Sequence, residues 1–259
     1  MCNRIRGLKE WRDIPRSLAG TLINFEYNPN VAPTEQVPAF IAERDKPVVT
    51  RLARFGINLP ARNGKKRPPL LNARTDNLRR GSFKTILANR RCVIPAEGLY
   101  EWRDEDGRKQ PYFFSRKDGK PVMFAGIWDY SEVKGETVPS FAILTDEPND
   151  LVAPYHDRMP VALNEVESWL DVDVPLAALK ALGPDRFAVR AVNRAVNSIK
   201  CQRRTSRLSR VRLSDQNCPF QRHAERSTAG AATPAARCRN CLRWGIFMVP
   251  RHKSSRSPP

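Results

Sequence analysis

Histidine is scarce in this chain, and so, over most of its length, is cysteine. Three histidines occur in 259 residues, and only His156 falls within the first 200. No metal centre is expected there, because the usual imidazole and thiolate ligands are missing. Of six cysteines only Cys2 and Cys92 lie in that stretch, too few for a disulfide framework, and free thiols in a reducing cytoplasm are expected. No apolar run approaches the roughly 18 residues of a membrane-spanning helix. The start has no apolar core of a secretory signal. No internal repeat is visible.

Positive charge is abundant and unevenly spread. Residues 1–200 carry 32 Lys and Arg against 25 Asp and Glu, whereas residues 201–259 carry 13 against 2. A basic balance favours polyanionic partners, nucleic acid first. The 201–259 stretch is rich in arginine and has no sustained apolar period, so it is expected not to fold. It reads either as a disordered basic tail or as an out-of-frame translation of GC-rich DNA. Its Cys218, His223, Cys238 and Cys241 resemble zinc-ligand spacing. No apolar pattern surrounds them, and no metal is expected.

Residues 1–200 read as one domain of many short strands with a few helices between them. Strands are expected at Thr21–Phe25, at Gln36–Ala42 on a sheet edge, and at Val48–Phe55. Arg62–Arg67 is a basic loop. A helix is expected over Thr75–Asn89, with Leu78, Phe83 and Leu87 on one face. Cys92–Trp102 reads as strand, glycine kink, strand. Tyr112–Ser115 and Val122–Trp128 read as strands joined by an Asp118-Gly119 hairpin turn, followed by a strand at Phe141–Thr145. Helices at Asn164–Leu170 and Pro175–Leu182 and a closing strand at Phe187–Val192 complete the pattern. The fold class is α+β: a single domain with a strongly curved, barrel-like antiparallel or mixed sheet flanked by a few short helices.

Four places carry chemistry. Removal of Met1 would leave Cys2 with a free amine and a thiol on one residue. Such an aminothiol condenses with an aldehyde to an imine and then closes a thiazolidine ring. The unperturbed pKa values of the two groups, about 8 and about 8.5, leave part of each nucleophilic near neutrality. In Asn72-Ala-Arg74, the amide can hold an amine or a sugar hydroxyl, and the guanidinium two residues on lies on the same side of an extended segment, able to fork a phosphate. A helix cap at Thr75 or Asp76 explains the same residues. Glu101 stands between Tyr100 and Trp102, where apolar neighbours raise a carboxyl pKa toward acid–base use. Trp102 could stack on an unpaired base. A strand with an outward Glu and core aromatics fits equally well. His156 follows a loop rich in turn residues and has an intrinsic pKa suited to proton transfer.

In order along the chain, Met1-Cys2-x-Arg4, Asn30-Val-Ala-Pro-Thr34, Asn72-Ala-Arg74, Arg91-Cys-Val-Ile-Pro-Ala-Glu-Gly-x-Tyr-Glu-Trp102, Phe124-Ala-Gly-Ile-Trp128, Phe141-Ala-Ile-Leu-Thr145 and His156-Asp-Arg-Met-Pro160 resemble the SRAP (SOS response-associated peptidase) family. The resemblance covers about residues 1–200. It implies a sensor of abasic sites in single-stranded DNA that crosslinks itself to the lesion aldehyde through Cys2. By that resemblance Asn72 orients the Cys2 amine, and Arg4 and Arg74 bind flanking phosphates. Glu101 shuttles protons, His156 assists sugar ring opening, and Trp102 and Thr145 line the DNA path. Autoproteolytic removal of Met1 and weak lyase action at abasic sites are implied too, without a cofactor. A monomer in a bacterial-type cytoplasm, nucleoid-associated when bound to DNA and independent of membranes, is expected. Two departures stand out. Asn3 replaces the usual glycine after the cysteine, and Phe55-Gly-Ile-Asn-Leu-Pro60 replaces a tryptophan-bearing segment. The competing readings are a cysteine peptidase using Cys2 and His156, and a non-enzymatic nucleic-acid-binding protein driven by the basic tail.

Overall fold

The computed structural model describes residues 3–78 and 81–199. Cys2 and the whole 201–259 stretch, with its cysteines and histidines, lie outside the described residues. Among the described residues ten strands form one mixed sheet. They are β1 (Ile5–Gly7), β2 (Gln36–Glu43), β3 (Val49–Phe55), β4 (Asn72–Arg74), β5 (Arg90–Glu105), β6 (Arg108–Arg116), β7 (Val122–Val133), β8 (Glu136–Asp146), β9 (Met159–Pro160) and β10 (Phe187–Ala191). Two short helices, α1 (Gly81–Asn89) and α2 (Val166–Leu170), complete the regular structure with several 3-10 turns.

The strand order closes on itself. β5 pairs with β2, β2 with β3, β3 with β8, β8 with β7, and β7 with β5 again. The ring is uneven, since its β3–β8 seam is parallel and only two residue pairs long. The strands of this ring are apolar on both faces. On one face Ala39, Ile41, Phe55, Cys92, Ile94, Phe124, Trp128, Phe141 and Ile143 form a cluster drawing on all five ring strands. Their alternating neighbours Phe40, Ala42, Val93, Ala125, Ile127, Ala142 and Leu144 form a second cluster against Leu87 of α1 and Trp169 of α2. Runs such as Cys92-Val-Ile and Phe141-Ala-Ile-Leu therefore lack the polar alternation of a half-exposed sheet. Each fully buried large side chain contributes about 1.5–3 kcal/mol.

β5 belongs to two layers. Its first half pairs with β2 and β7 in the ring, while Leu99–Glu105 pairs with β6. The change of partner falls at Gly98, whose φ is +153°. A β-carbon there would sit 2.1 Å from the carbonyl oxygen of Phe114, so only glycine lets the strands approach. β1 crosses this bend, with Ile5 opposite Leu99.

Several expectations are corrected. Arg16–Thr21 is a 3-10 turn, and the strand expected at Thr21–Phe25 is not formed. The segment after it serves as cover: Trp11 donates to the Ile23 carbonyl at 2.7 Å and packs on Phe25 and Phe40. β2 is interior, between β5 and β3, not an edge. Residues 75–78 form a turn, with the Thr75 and Asn77 N–H groups bonded to the Thr145 and Arg74 carbonyls, and the described helix spans Gly81–Asn89. β6 and β7 each pair with β5 and not with one another, so Asp118-Gly119 is not a two-strand hairpin turn. Pro175–Leu182 forms only a 3-10 turn at Leu176–Ala178. Beyond it the chain is drawn into bridges with Ala162–Asn164 through Lys180, Ala181 and Leu182.

Candidate active site

The start of β1 sets Arg4 over Trp102 of β5, and the parallel pair β4–β8 sets Arg74 beside Thr145. β1 is held to β5 by the Tyr100 N–H donating to the Arg4 carbonyl at 3.0 Å. β4 is three residues long, and its register with β8 sets Asn72 beside Ile143 and Arg74 beside Thr145. A side chain at Asn72 consequently points to the protein, and one at Ala73 packs into the outer cluster.

Asn72 is buried. Its Nδ2 donates to Asn3 Oδ1 at 3.3 Å, and its own Oδ1 has no partner. A buried acceptor left unpaired costs about 1–3 kcal/mol, a cost that a donor arriving at the site removes. Asn3 is the residue next to Cys2, which lies outside the described residues. The Asn3 side chain thus occupies part of the space a glycine would leave open.

Glu101 is 3 % exposed, and its Oε1 also lacks a partner. Burial pushes its carboxyl up to about 7, and the nearby Asp157 pushes in the same direction. A group of that pKa is present in both protonation states near neutrality, so it can donate a proton and take one back.

His156 sits in the loop between β8 and β9. Its Nδ1 accepts from the Arg158 N–H at 3.0 Å, which leaves the neutral ring protonated on Nε2. Burial lowers its pKa, so it is neutral near pH 7. The Asp157 carboxylate lies 2.8 Å from the same Nδ1 and acts against that shift.

The cations divide into two kinds. Arg4 is half-buried, and its Nη1 donates to Asn30 Oδ1 at 2.9 Å and to the Val196 carbonyl at 3.2 Å. Its Nε is buried without a partner. Arg74 is exposed and makes a two-pronged pair with Asp76 at 2.6 and 3.1 Å. Trp102 is not a free ring. Its Nε1 donates to Asn197 Oδ1 at 2.7 Å, the Arg4 guanidinium lies 5.7 Å from its centroid, and it packs on the Tyr100–Phe113–Val196 cluster. Thr145 is 1 % exposed, and its carbonyl accepts from both Thr75 and Arg158 at 3.0 Å.

Arg158 received no role from the sequence. Its side chain is 12 % exposed, its Nη2 is spent on the Thr145 carbonyl, and its Nε is buried without a partner. Asp76 reaches it at 4.0 Å while holding Arg74. The signal was available: Arg158 follows His156 at the same two-residue spacing by which Arg74 follows Asn72. Asn30 is a second omission, as its side chain ties Arg4 to Val196 through a 3.0 Å bond. Among the described residues no group of His, Cys, Asp and Glu could hold a metal ion. The buried polar atoms without a partner are donors on Arg4 and Arg158 and acceptors on Asn72 and Glu101; the donors suit an anion, the acceptors a hydrogen-bond donor.

The chain is similar to known proteins over most of its length. A family model described as SOS response associated peptidase (SRAP) matches residues 1–199. The chain is 32 % identical over 216 residues to the abasic site processing protein YoqW of Bacillus subtilis, covering 77 % of this chain and 96 % of that one. Identity to the abasic site processing protein YedK of Escherichia coli is 29 % over 182 residues, covering 67 % and 80 % of the two chains. Among solved structures, a Bordetella bronchiseptica protein superposes with a TM-score of 0.60 at 24 % identity, covering 74 % of this chain and all of that one. At that identity the likeness speaks for the fold.

Proposed function

The chain belongs to the SOS response associated peptidase family, and from that premise we propose that it processes abasic sites in single-stranded DNA by capturing them covalently through Cys2. The ring-opened sugar presents an aldehyde. With Met1 removed, the Cys2 amine adds to that carbonyl, and the resulting carbinolamine loses water to give an imine. The Cys2 sulfur then adds to the imine carbon and closes a thiazolidine, so the adduct weighs one water less than its two components. Removal of Met1 by the protein itself belongs to the same reading.

Each side chain has a task at a stated atom. Asn72 Oδ1 accepts from the Cys2 amine and holds its lone pair toward the carbonyl. Glu101, when protonated, gives its proton to the departing hydroxyl; as carboxylate it takes the proton of the thiol. His156, with its proton on Nε2, donates to the sugar ring oxygen as the ring opens. Arg4, Arg74 and Arg158 bind the phosphates on either side of the lesion. Trp102 lines the path of the strand, and the buried Thr145 contributes by holding Arg158 through its carbonyl. Because the imine also makes the neighbouring carbon acidic, slow strand cleavage by β-elimination accompanies capture. The protein acts as a monomer in this reading.

One observation carries the proposal: the buried, unpartnered Oδ1 of Asn72 stands on a side chain bonded to the residue adjoining Cys2. Intact mass of the protein before and after incubation with an abasic single-stranded oligonucleotide tests it. Loss of Met1 and a heat-stable adduct lighter than the sum by one water are expected. Equal crosslinking by Cys2→Ala, or by protein that keeps Met1, refutes it.

A further inference from the structure

The basic loop at residues 61–68 takes no part in the site described above, yet it grows from the same strand. Ile57 and Leu70 exchange backbone hydrogen bonds at 3.0 and 2.8 Å, and Arg62 and Lys65 do so at 3.0 Å in both directions. Asn63 and Gly64 turn the chain with φ of +51° and +72°, the pairing of a two-residue hairpin turn. The base is fastened to the sheet. The Asn58 N–H donates to Ser131 Oγ and its side chain to the Glu132 carbonyl, both at 2.9 Å. A β-carbon on Gly56 would meet Leu71 and Pro69 at 2.9 and 3.0 Å. Pro60, Pro68 and Pro69 restrict the backbone of both limbs. The hairpin is a short, stiff arm that stands out into solvent.

Its charge is of one sign. Residues 57–70 include Arg62, Lys65, Lys66 and Arg67 and no Asp or Glu, and residues 60–68 are all exposed. Elsewhere on the described surface arginines meet carboxylates, as in Arg44–Asp173, Arg74–Asp76, Arg90–Asp129, Arg103–Glu105 and Arg116–Asp118. Among the described residues the hairpin cations have no such partner. Crowding four like charges without a counter-charge raises the energy of the free protein, and a polyanion relieves it. Leu71 leads directly into β4, so Arg67 lies within about 18 Å of Asn72 along the chain. Long cationic side chains extend that reach.

We infer that this hairpin is a second contact for the phosphate backbone of single-stranded DNA, gripping the strand a few nucleotides to one side of the lesion. The inference rests on the proposed function for its choice of polyanion. It adds a polarity: an arm that leaves one end of β4 can meet only one flank of the bound strand.

The test separates the two readings. Reversible binding to an undamaged oligonucleotide of about 20 nucleotides, longer than the footprint of a compact site, is measured against salt for the wild type and for the variant R62Q/K65Q/K66Q/R67Q. Each phosphate contact contributes about 0.7 to the log–log salt slope on single strands, so the variant's slope should be shallower by about 2–3. The conservative variant R62K/R67K should retain the wild-type slope. Adduct formation is then followed at limiting protein with abasic strands extended only on the 5′ side or only on the 3′ side. The neutral variant should lose rate on one of the two and reach wild-type yield at saturation. An unchanged salt slope, or an equal loss on both extensions, overturns the inference. Absence of any adduct from the wild type refutes the covalent function instead, while the salt slope still decides the hairpin.

Discussion

Glu101 illustrates how a single residue is tuned by where its strand bends. Its position between two aromatics is visible in the sequence, but a strand with an outward glutamate looks the same. The structure turns the carboxyl inward, 3 % exposed, with one oxygen unpaired and the pKa up to about 7. Glu101→Gln keeps the shape and removes the proton exchange. It should slow adduct formation by about 10²-fold, the lower end for a general acid–base group, and erase the limb of the pH–rate profile near 7. Rapid-quench kinetics across pH 5–9 checks both. Asn72→Ala should slow the same step without altering reversible affinity for undamaged strands, since the amide serves the reacting amine rather than a phosphate; a parallel fall in affinity would argue against that role. Asn72, Glu101 and His156 were legible as candidates; Arg158 carried only its two-residue spacing from His156, and its guanidinium atom left without a partner is visible only in the structure.

Among the elements, β5 decides the most. Its sixteen residues serve the ring, then the β6 layer, and the hinge is Gly98. Gly98→Ala must displace the Phe114 carbonyl as well as adopt an unfavourable φ, and should destabilise the fold by about 3 kcal/mol. Urea midpoints would report it, and Gly20→Ala, where nothing lies within 4 Å, supplies the silent control. The terminal 3-10 turn at Arg194–Asn197 is the second decisive element. The Val196 carbonyl holds Arg4 and Asn30, and the Asn197 side chain holds the Trp102 indole. Asn197→Ala should cost about 1 kcal/mol and let Trp102 move, raising its quenching by acrylamide; an unchanged quenching curve would show that packing alone holds the ring. The strand–kink–strand pattern around Gly98 was readable from sequence. The interior place of β2 was not: β5 pairs only with Phe40–Glu43, so Pro38 and its mixed neighbours keep the look of an edge.

At the scale of the whole molecule, a buried acid kept for chemistry is a burden on stability, with a defined sign. Glu101 has a folded pKa near 7, above its unfolded value. The folded state therefore holds the proton more tightly between those values, and stability falls as pH rises through that window. Below about pH 4 both states are protonated and the term vanishes. Glu101→Gln should then be more stable than wild type by about 3 kcal/mol at pH 8 and equal to it at pH 4, measured by denaturant titration at both values. A variant no more stable at pH 8 would mean that the carboxylate finds solvent or a cation when ionised.

The sequence by itself determined the class of fold, the order of most strands, the glycine at which β5 bends and the types of residue at the site, because these follow from local pattern and from side-chain chemistry. It could not determine the closure of five strands into a ring, the parallel β3–β8 seam, the split of β6 and β7 to different parts of β5, or the proximity of Arg158 to Thr145. Those depend on pairings between residues far apart in the chain, which local propensity does not encode. Only the packed structure leaves Asn72, Glu101 and two arginines buried with unmet hydrogen-bonding atoms, since burial and the absence of a partner are properties of the tertiary surroundings and not of any residue alone.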